Sequence, residues 1–274
     1  NAAAQVPRDR AVCGTDQHRQ AGRGDPDRQG HRPACEQANT QTSTERRIIF
    51  SPQINWWRYK RRPPQLEPGL TALLEKFCAF YKRLSPAEKQ QFRDRVVLFR
   101  MATDWEPMAF EGEAVPVDVQ LVICAQAVTT LFNKPDLLYP KFEKVIVYPL
   151  PFSTPEFRFD HASELYEPDG CVLFSAEQLM LAFTEPHDWY NVGLHEYARI
   201  YTITYPNEPY PSFSGDDVWH KLESVSGMPR KHVESVIGLP DADILAVAMH
   251  HYWVFPERFR LVFPEEAKVL DAIL

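Results

Sequence analysis

The nine residues Asn191-Val192-Gly193-Leu194-His195-Glu196-Tyr197-Ala198-Arg199 carry the strongest candidate chemistry in this chain. On a helix, the pattern H-E-x-x-H puts two histidines four residues apart on one face, where their ring nitrogens bind Zn²⁺. The glutamate beside the first histidine is then the general base for the metal-bound water. His195 and Glu196 supply the first two letters, and Arg199 stands at the last. A guanidinium is permanently protonated and has no lone pair to give a metal. Placed a few ångströms from the seat of a dication, it repels that ion by on the order of several kcal/mol, even at an effective dielectric near ~20. A lone His-Glu pair is a common feature of a helix that is merely packed or solvated, so its weight depends on the elements around it.

Those elements are legible as periodicities. Leu70, Leu73, Leu74, Phe77, Phe80, Tyr81 and Leu84 fall at helical spacing. Ser85-Pro86-Ala87-Glu88 then starts a second helix, with Ser85 as cap, Pro86 in the first turn and Glu88 closing a capping box. That helix is expected to run to about Thr103. Val117 to Phe132 is apolar on more than one face and predicts a buried helix. Lys144 to Tyr148 is short, β-branched and followed by Pro149, which predicts a strand. A second strand is predicted over Gly170 to Ser175, entered by the turn Pro168-Asp169-Gly170. Asn191 to Tyr201 and Asp241 to Val254 read as helices, and Pro264 opens a short final one. This mixture is that of an α+β protein.

Composition narrows the function classes. The chain has 274 residues, 44% of them hydrophobic, enough for a sizeable core. Its net charge of −7, with no clustered basic face, argues against nucleic acid as a partner. The five cysteines, Cys13, Cys35, Cys78, Cys124 and Cys171, are odd in number and never in C-x-x-C spacing, which points to a reducing compartment and no cysteine metal site. No apolar run approaches the ~20 residues of a membrane span, and the N-terminus has no signal-peptide h-region, so the expected location is the cytoplasm. Residues 1–47 contain no Leu, Ile, Met, Phe, Tyr, Trp or Lys. Such a tail cannot bury enough apolar surface to order itself and is expected to be disordered. Its abrupt boundary also admits a second reading, that it is not native coding sequence. The basic aromatic stretch Trp56 to Arg62 reads as a connector packing on the domain, with a membrane-surface or partner contact as the alternative. The loop Tyr205 to Pro211 reads as a surface loop beside the cleft, with a recognition element as the alternative. There is no G-x-G-x-x-G, no P-loop and no G-x-S-x-G.

From about Leu70 to Phe263 the chain resembles the Mlc titration factor A family of zincin metallopeptidases. The resemblance rests on the helix pair before Asp104, the strand continuing through Pro149-Leu150-Pro151-Phe152, the strand Val172 to Ser175 ahead of the His-Glu helix, and a late helix. That helix, of family type E-x-F-A-V-x-S-E-x-F-F-x-x-P-E-x-F, reads here from Asp243 to Phe259. The resemblance implies a zincin-like α+β fold with an N-terminal helical portion, divided into residues 48–115 and a peptidase domain over 116–274. It also implies zinc as cofactor. Position by position, His195 is the first ligand and Glu196 the general base. Arg199 replaces the second histidine, Asp243 stands where the third ligand is glutamate, and Val236 falls at a tyrosine position. Arg199 is expected to take the metal's place by pairing with Glu196 or Asp243. His250 shares a helix face with Asp243 but sits two turns, about 10 Å, away, so it and His251 are expected to be a packed or solvated pair beside the cleft. His187, His220 and His232 are the remaining candidates to complete a site. The expectation is a peptidase homologue with impaired or lost catalysis, zinc absent or weakly held, and a protein-binding or regulatory role. Its implied partner is a transcriptional regulator, or a peptide in the cleft. The alternative is an active metal-dependent peptidase with substituted ligands.

Overall fold

The computed structural model describes residues 58–110, 114–215, 217–238 and 242–274. The expectations for residues 1–47, for Trp56 and Trp57, and for Cys13 and Cys35 lie outside these.

The first predicted helix is two: α1 (Pro68–Phe77) and α2 (Ala79–Arg83). Between them Cys78 takes extended backbone, φ −77° and ψ 101°, which interrupts the helix while its side chain stays buried. α3 (Pro86–Ala102) begins on the predicted capping box. The Glu88 N–H donates to Ser85 Oγ at 3.4 Å, and the Ser85 N–H donates to Glu88 Oε2 at 2.8 Å. A strand the sequence does not announce follows, β1 (Asp104–Pro107). Its two acidic residues and its proline argue against a strand. It is tolerated because β1 is an edge, bonded on one side only, parallel to β2.

α4 (Val117–Leu131) is the buried helix the sequence predicts, with every residue from Leu121 to Leu131 buried. β2 (Lys144–Tyr148) and β4 (Cys171–Ser175) form the centre of a four-stranded sheet of order β1-β2-β4-β3. They pair in parallel, and their near-continuous apolar runs are those of strands covered on both faces. Gly170 sits in the turn before β4 at φ 62°, and a Cβ there would lie 2.0 Å from the Lys141 carbonyl oxygen, so the position requires glycine. β3 (Ser163–Tyr166) closes the other edge, antiparallel to β4.

The remaining helices are α5 (Ala176–Thr184), α6 (Val192–Thr204), α7 (Val218–Ser226), α8 (Arg230–Ile237), α9 (Ile244–Val254), α10 (Pro256–Val262) and α11 (Pro264–Ile273). α6 is held between α4 and α9 and also touches β3. Side chains from Leu66 to Leu274 share one core. The His-Glu helix therefore lies inside the fold, with an edge strand on one side and the late helix on the other.

Candidate functional site

α6 starts at Asn191, whose Oδ1 accepts from the Leu194 N–H at 3.0 Å. This cap fixes the first turn and sets His195, Glu196 and Arg199 in register. His195 is 2% exposed. Burial pushes its pKa down and Arg199 adds to that, against the opposing charges of Glu196 and Asp243. Its Nδ1 lies 2.8 Å from the hydroxyl of Tyr190. Tyr190 is fully buried, and that nitrogen is the hydroxyl's hydrogen-bond partner among the described residues. The arrangement that leaves no buried hydroxyl proton unpaired has Tyr190 donating to Nδ1, which puts the imidazole proton on Nε2.

Both oxygens of Glu196 are occupied. Its side chain has no exposed surface. Ser163, at the start of β3, donates to Oε1 at 2.8 Å, and Arg199 Nη1 donates to Oε2 at 2.8 Å. The Arg199 side chain remains 29% exposed. Of the two carboxylates the sequence offered to Arg199, the structure brings Glu196 to it. Asp243 is elsewhere employed. It is the N-cap of α9, exposed, and its Oδ1 accepts from the Leu245 and Ala246 N–H groups at 2.9 and 3.2 Å. It is still close enough for its charge to bear on His195 and Tyr190.

His250 and His251 are packed rather than solvated, both at 0% exposure. The Asn191 N–H donates to His250 Nε2 at 3.2 Å, so the His250 proton sits on Nδ1. That nitrogen is 3.0 Å from His251 Nδ1, which must accept, leaving the His251 proton on Nε2. Burial drives His250 well below the usual histidine range and His251 down to about 3, so both rings are neutral. The Tyr190 ring packs on His250, tilted by 34° with ring centroids 4.2 Å apart, which ties this pair to the His195 partner. Val236, on α8, is a half-buried hydrocarbon packed on the core and offers no hydrogen bond. The ring of His187 packs against Phe255 at 5.5 Å. His220 and His232 lie on α7 and α8. Among the described residues no three His, Cys, Asp or Glu side chains come together as a metal-binding group.

Sequence reasoning did not find Tyr190, Ser163 or the bond from Asn191 to His250. Ser163 reaches Glu196 across 33 residues of chain, and no local spacing encodes such a contact.

An α+β fold with a short mixed sheet, an antiparallel edge strand, and a His-Glu helix beside that edge is the zincin-like architecture. Residues 54–200 match the family described as glucose-regulated metallo-peptidase M90, and the chain belongs to that family. The match spans more than half of the 274 residues and takes in His195, Glu196 and Arg199, but ends before Asp243. The chain is also similar to an uncharacterized protein of Synechocystis sp., slr2042, with 28% identity over 165 residues, covering 52% of this chain and 56% of that protein. The chain thus spans about half the length of that curated relative.

A zinc ion is the group this family implies, and the donor set does not fit one. A zincin-type site needs three protein lone pairs around an open position. Arg199 has none, so His195 and Asp243, whose Oδ1 already caps α9, leave the set short of a third protein ligand. Glu196, the residue at the general-base position, has an acid–base partner on neither oxygen: one is held by a neutral hydroxyl, the other by a cation that does not give up its proton.

Proposed function

We propose that this chain is a metallopeptidase-family protein that has exchanged metal-dependent hydrolysis for binding. Its cleft recognises a protein partner, such as a transcriptional regulator, or a peptide segment of one, in the cytoplasm. One observation supports this reading above the others: the Arg199 guanidinium bonded to Glu196 at 2.8 Å. In this reading the guanidinium supplies the positive charge that holds Glu196 in place, so the fold keeps its shape without an ion. His195 and Glu196 are then structural remnants of a catalytic pair, and Asp243 serves α9 as a cap.

The competing reading is an active peptidase with substituted ligands. The charge of Asp243 felt at His195 favours it, since those two residues would supply two of the ligands. Two measurements on the purified chain separate the readings. The proposal expects far less than one zinc per chain by elemental analysis and no peptide cleavage with added Zn²⁺. Stoichiometric zinc together with cleavage that is lost in Glu196→Gln would establish the competing reading instead.

A further inference from the structure

The chain between β2 and β3 folds back on itself at one point. The Phe152 N–H donates to the His161 carbonyl at 3.0 Å, and the His161 N–H donates to the Phe152 carbonyl at 2.9 Å. Residues 153–160 lie between these two and carry Phe157 and Phe159, whose rings pack on the His161 imidazole with centroids 5.8 and 6.0 Å away. The Phe152 ring lies closer, at 4.6 Å, and itself stacks on Tyr148 of β2 at 4.3 Å. On the other side α8 ends against the same point. A Cβ on Gly238 would come 2.5 Å from His161 Cβ, and the Ala162 N–H donates to the Ile237 carbonyl at 3.2 Å.

The imidazole inside this shell has no exposed surface. Its Nδ1 lies 3.0 Å from the Phe159 carbonyl oxygen, which can only accept, so Nδ1 carries a proton. Its Nε2 lies 3.0 Å from Glu164 Oε2, on a side chain that is itself buried. A contact of that length between a ring nitrogen and a carboxyl oxygen needs one proton between them, whichever atom holds it. With that proton the pair is neutral overall. Without it a nitrogen lone pair faces a buried carboxylate, and the negative charge has lost its compensation. The charged groups acting on the ring are Glu164 from β3 and Asp160 from the loop, both negative, while α8 approaches with Gly238, which carries no charge. Burial alone would push the His161 pKa down, but the bonds to Glu164 and to the Phe159 carbonyl prevail and hold it above the ordinary histidine value.

We propose that His161 and Glu164 form a proton-operated latch, which holds residues 153–160 against the start of β3 and releases them when the shared proton is lost at higher pH. The segment is the moving part because its hold on the fold runs through this ring: Phe157 and Phe159 pack on it, and the Phe159 carbonyl accepts from it. Apart from the bridge at Phe152 and His161, the segment's hydrogen bonds among the described residues are internal, between Thr154 and Phe157. β3 stays in place on release, because it is paired along its length with β4. The latch lies two residues ahead of Ser163, the serine that bonds Glu196. It is nevertheless separate from the His195–Glu196–Arg199 cluster, and the proposal stands whether or not the chain retains hydrolysis.

Pulsed hydrogen exchange on the full chain, read by mass spectrometry and corrected for the base-catalysed intrinsic rate, tests the latch. Between about pH 6 and about pH 9, protection at the Phe152 and His161 amides is expected to fall by about tenfold or more, the scale set by leaving a buried polar group uncompensated. The amides of β2 and β4 are expected to keep their protection. Glu164→Gln substitutes a carboxamide, which donates to a neutral ring and accepts from a charged one. In that variant protection at the same two amides is expected to stay level across the range. The proposal is overturned if the corrected protection in the unmodified chain stays constant, if it falls equally in β2 and β4, or if Glu164→Gln keeps the full pH dependence. The first two results come from the unmodified chain, so they decide the matter even if the variant does not fold.

Discussion

Replacing Arg199 with methionine removes the cation from a carboxylate that has no exposed surface. Deleting one partner of a buried ion pair costs roughly 3–5 kcal/mol, because the other charge is left without compensation. Two features of this pair lower that figure. The Arg199 side chain is 29% exposed, so water can reach the vacated space, and Ser163 still donates to the other oxygen of Glu196. We expect Arg199→Met to lose about 2–4 kcal/mol. At roughly 2–4 °C per kcal/mol for a domain of this size, Tm falls by about 4–16 °C. In Arg199→Met with Glu196→Gln the uncompensated charge is gone. Exchanging a buried ion pair for uncharged residues of similar shape is often near neutral, so the double variant should lie within about 1.5 kcal/mol of the parent. Urea unfolding of the parent, both single variants and the double variant gives the coupling energy directly, and we expect about 2 kcal/mol or more. A methionine variant that loses less than about 0.5 kcal/mol, or single-variant losses that simply add, would refute the reasoning.

Three further outcomes follow from the same geometry. Arg199→His should gain measurable zinc affinity, and adding Tyr190→Phe should lower that affinity by about 10-fold or more, because the His195 ring loses the hydroxyl that orients its Nδ1 side; isothermal titration with zinc reads both, and equal affinities would show that Tyr190 does not orient the ring. Gly193→Ala would place a Cβ 1.6 Å from Gln126 Oε1 and 2.9 Å from Leu179 Cδ2, costing roughly 1–3 kcal/mol, and Gln126→Ala should recover most of the loss in chemical unfolding. Burial lowers the pKa of His195, His250 and His251, so below about pH 6.5 the unfolded chain takes up protons that the folded chain refuses, and each such ring removes up to about 1.4 kcal/mol of stability per pH unit. His161 runs the other way: burial alone would lower its pKa, but the bond to Glu164 at 3.0 Å prevails and the net shift is upward. Its contribution is complete below about pH 6.5 and is lost as pH rises through the folded value, so it does not offset the acid-side loss. Unfolding free energies between pH 6 and 5 should therefore fall steeply, and His251→Leu should flatten the slope; an unchanged slope would contradict the assignment.

The sequence makes the site helix and its departures legible because they are local. His195, Glu196 and Arg199 lie within one turn, and the chemistry of a guanidinium does not depend on context. The capping box at Ser85, the buried helix α4 and the two central strands are equally local signals, carried by periodicity and by β-branched runs. The contacts that decide how the site is wired come from tertiary structure. Ser163 reaches Glu196 from an edge strand whose sequence, Ser-Glu-Leu-Tyr, is too short and too polar to read as one. Tyr190 precedes the helix and meets His195 only because the chain turns there. Asp243 falls at the third-ligand position by resemblance, yet Ser, Thr, Asp and Asn one residue before an apolar helix are also the common N-caps, and the structure gives it that bonding. The break at Cys78 has no signature in the sequence, since the apolar spacing runs on through it.

Elemental analysis of the chain, purified without chelator and compared with Arg199→His from the same preparation, tests the central claim that a guanidinium has taken the metal's place. Far less than one zinc per chain is expected in the parent, with a clear gain in the histidine variant. A full equivalent of zinc in the parent, lost in His195→Ala, would contradict it.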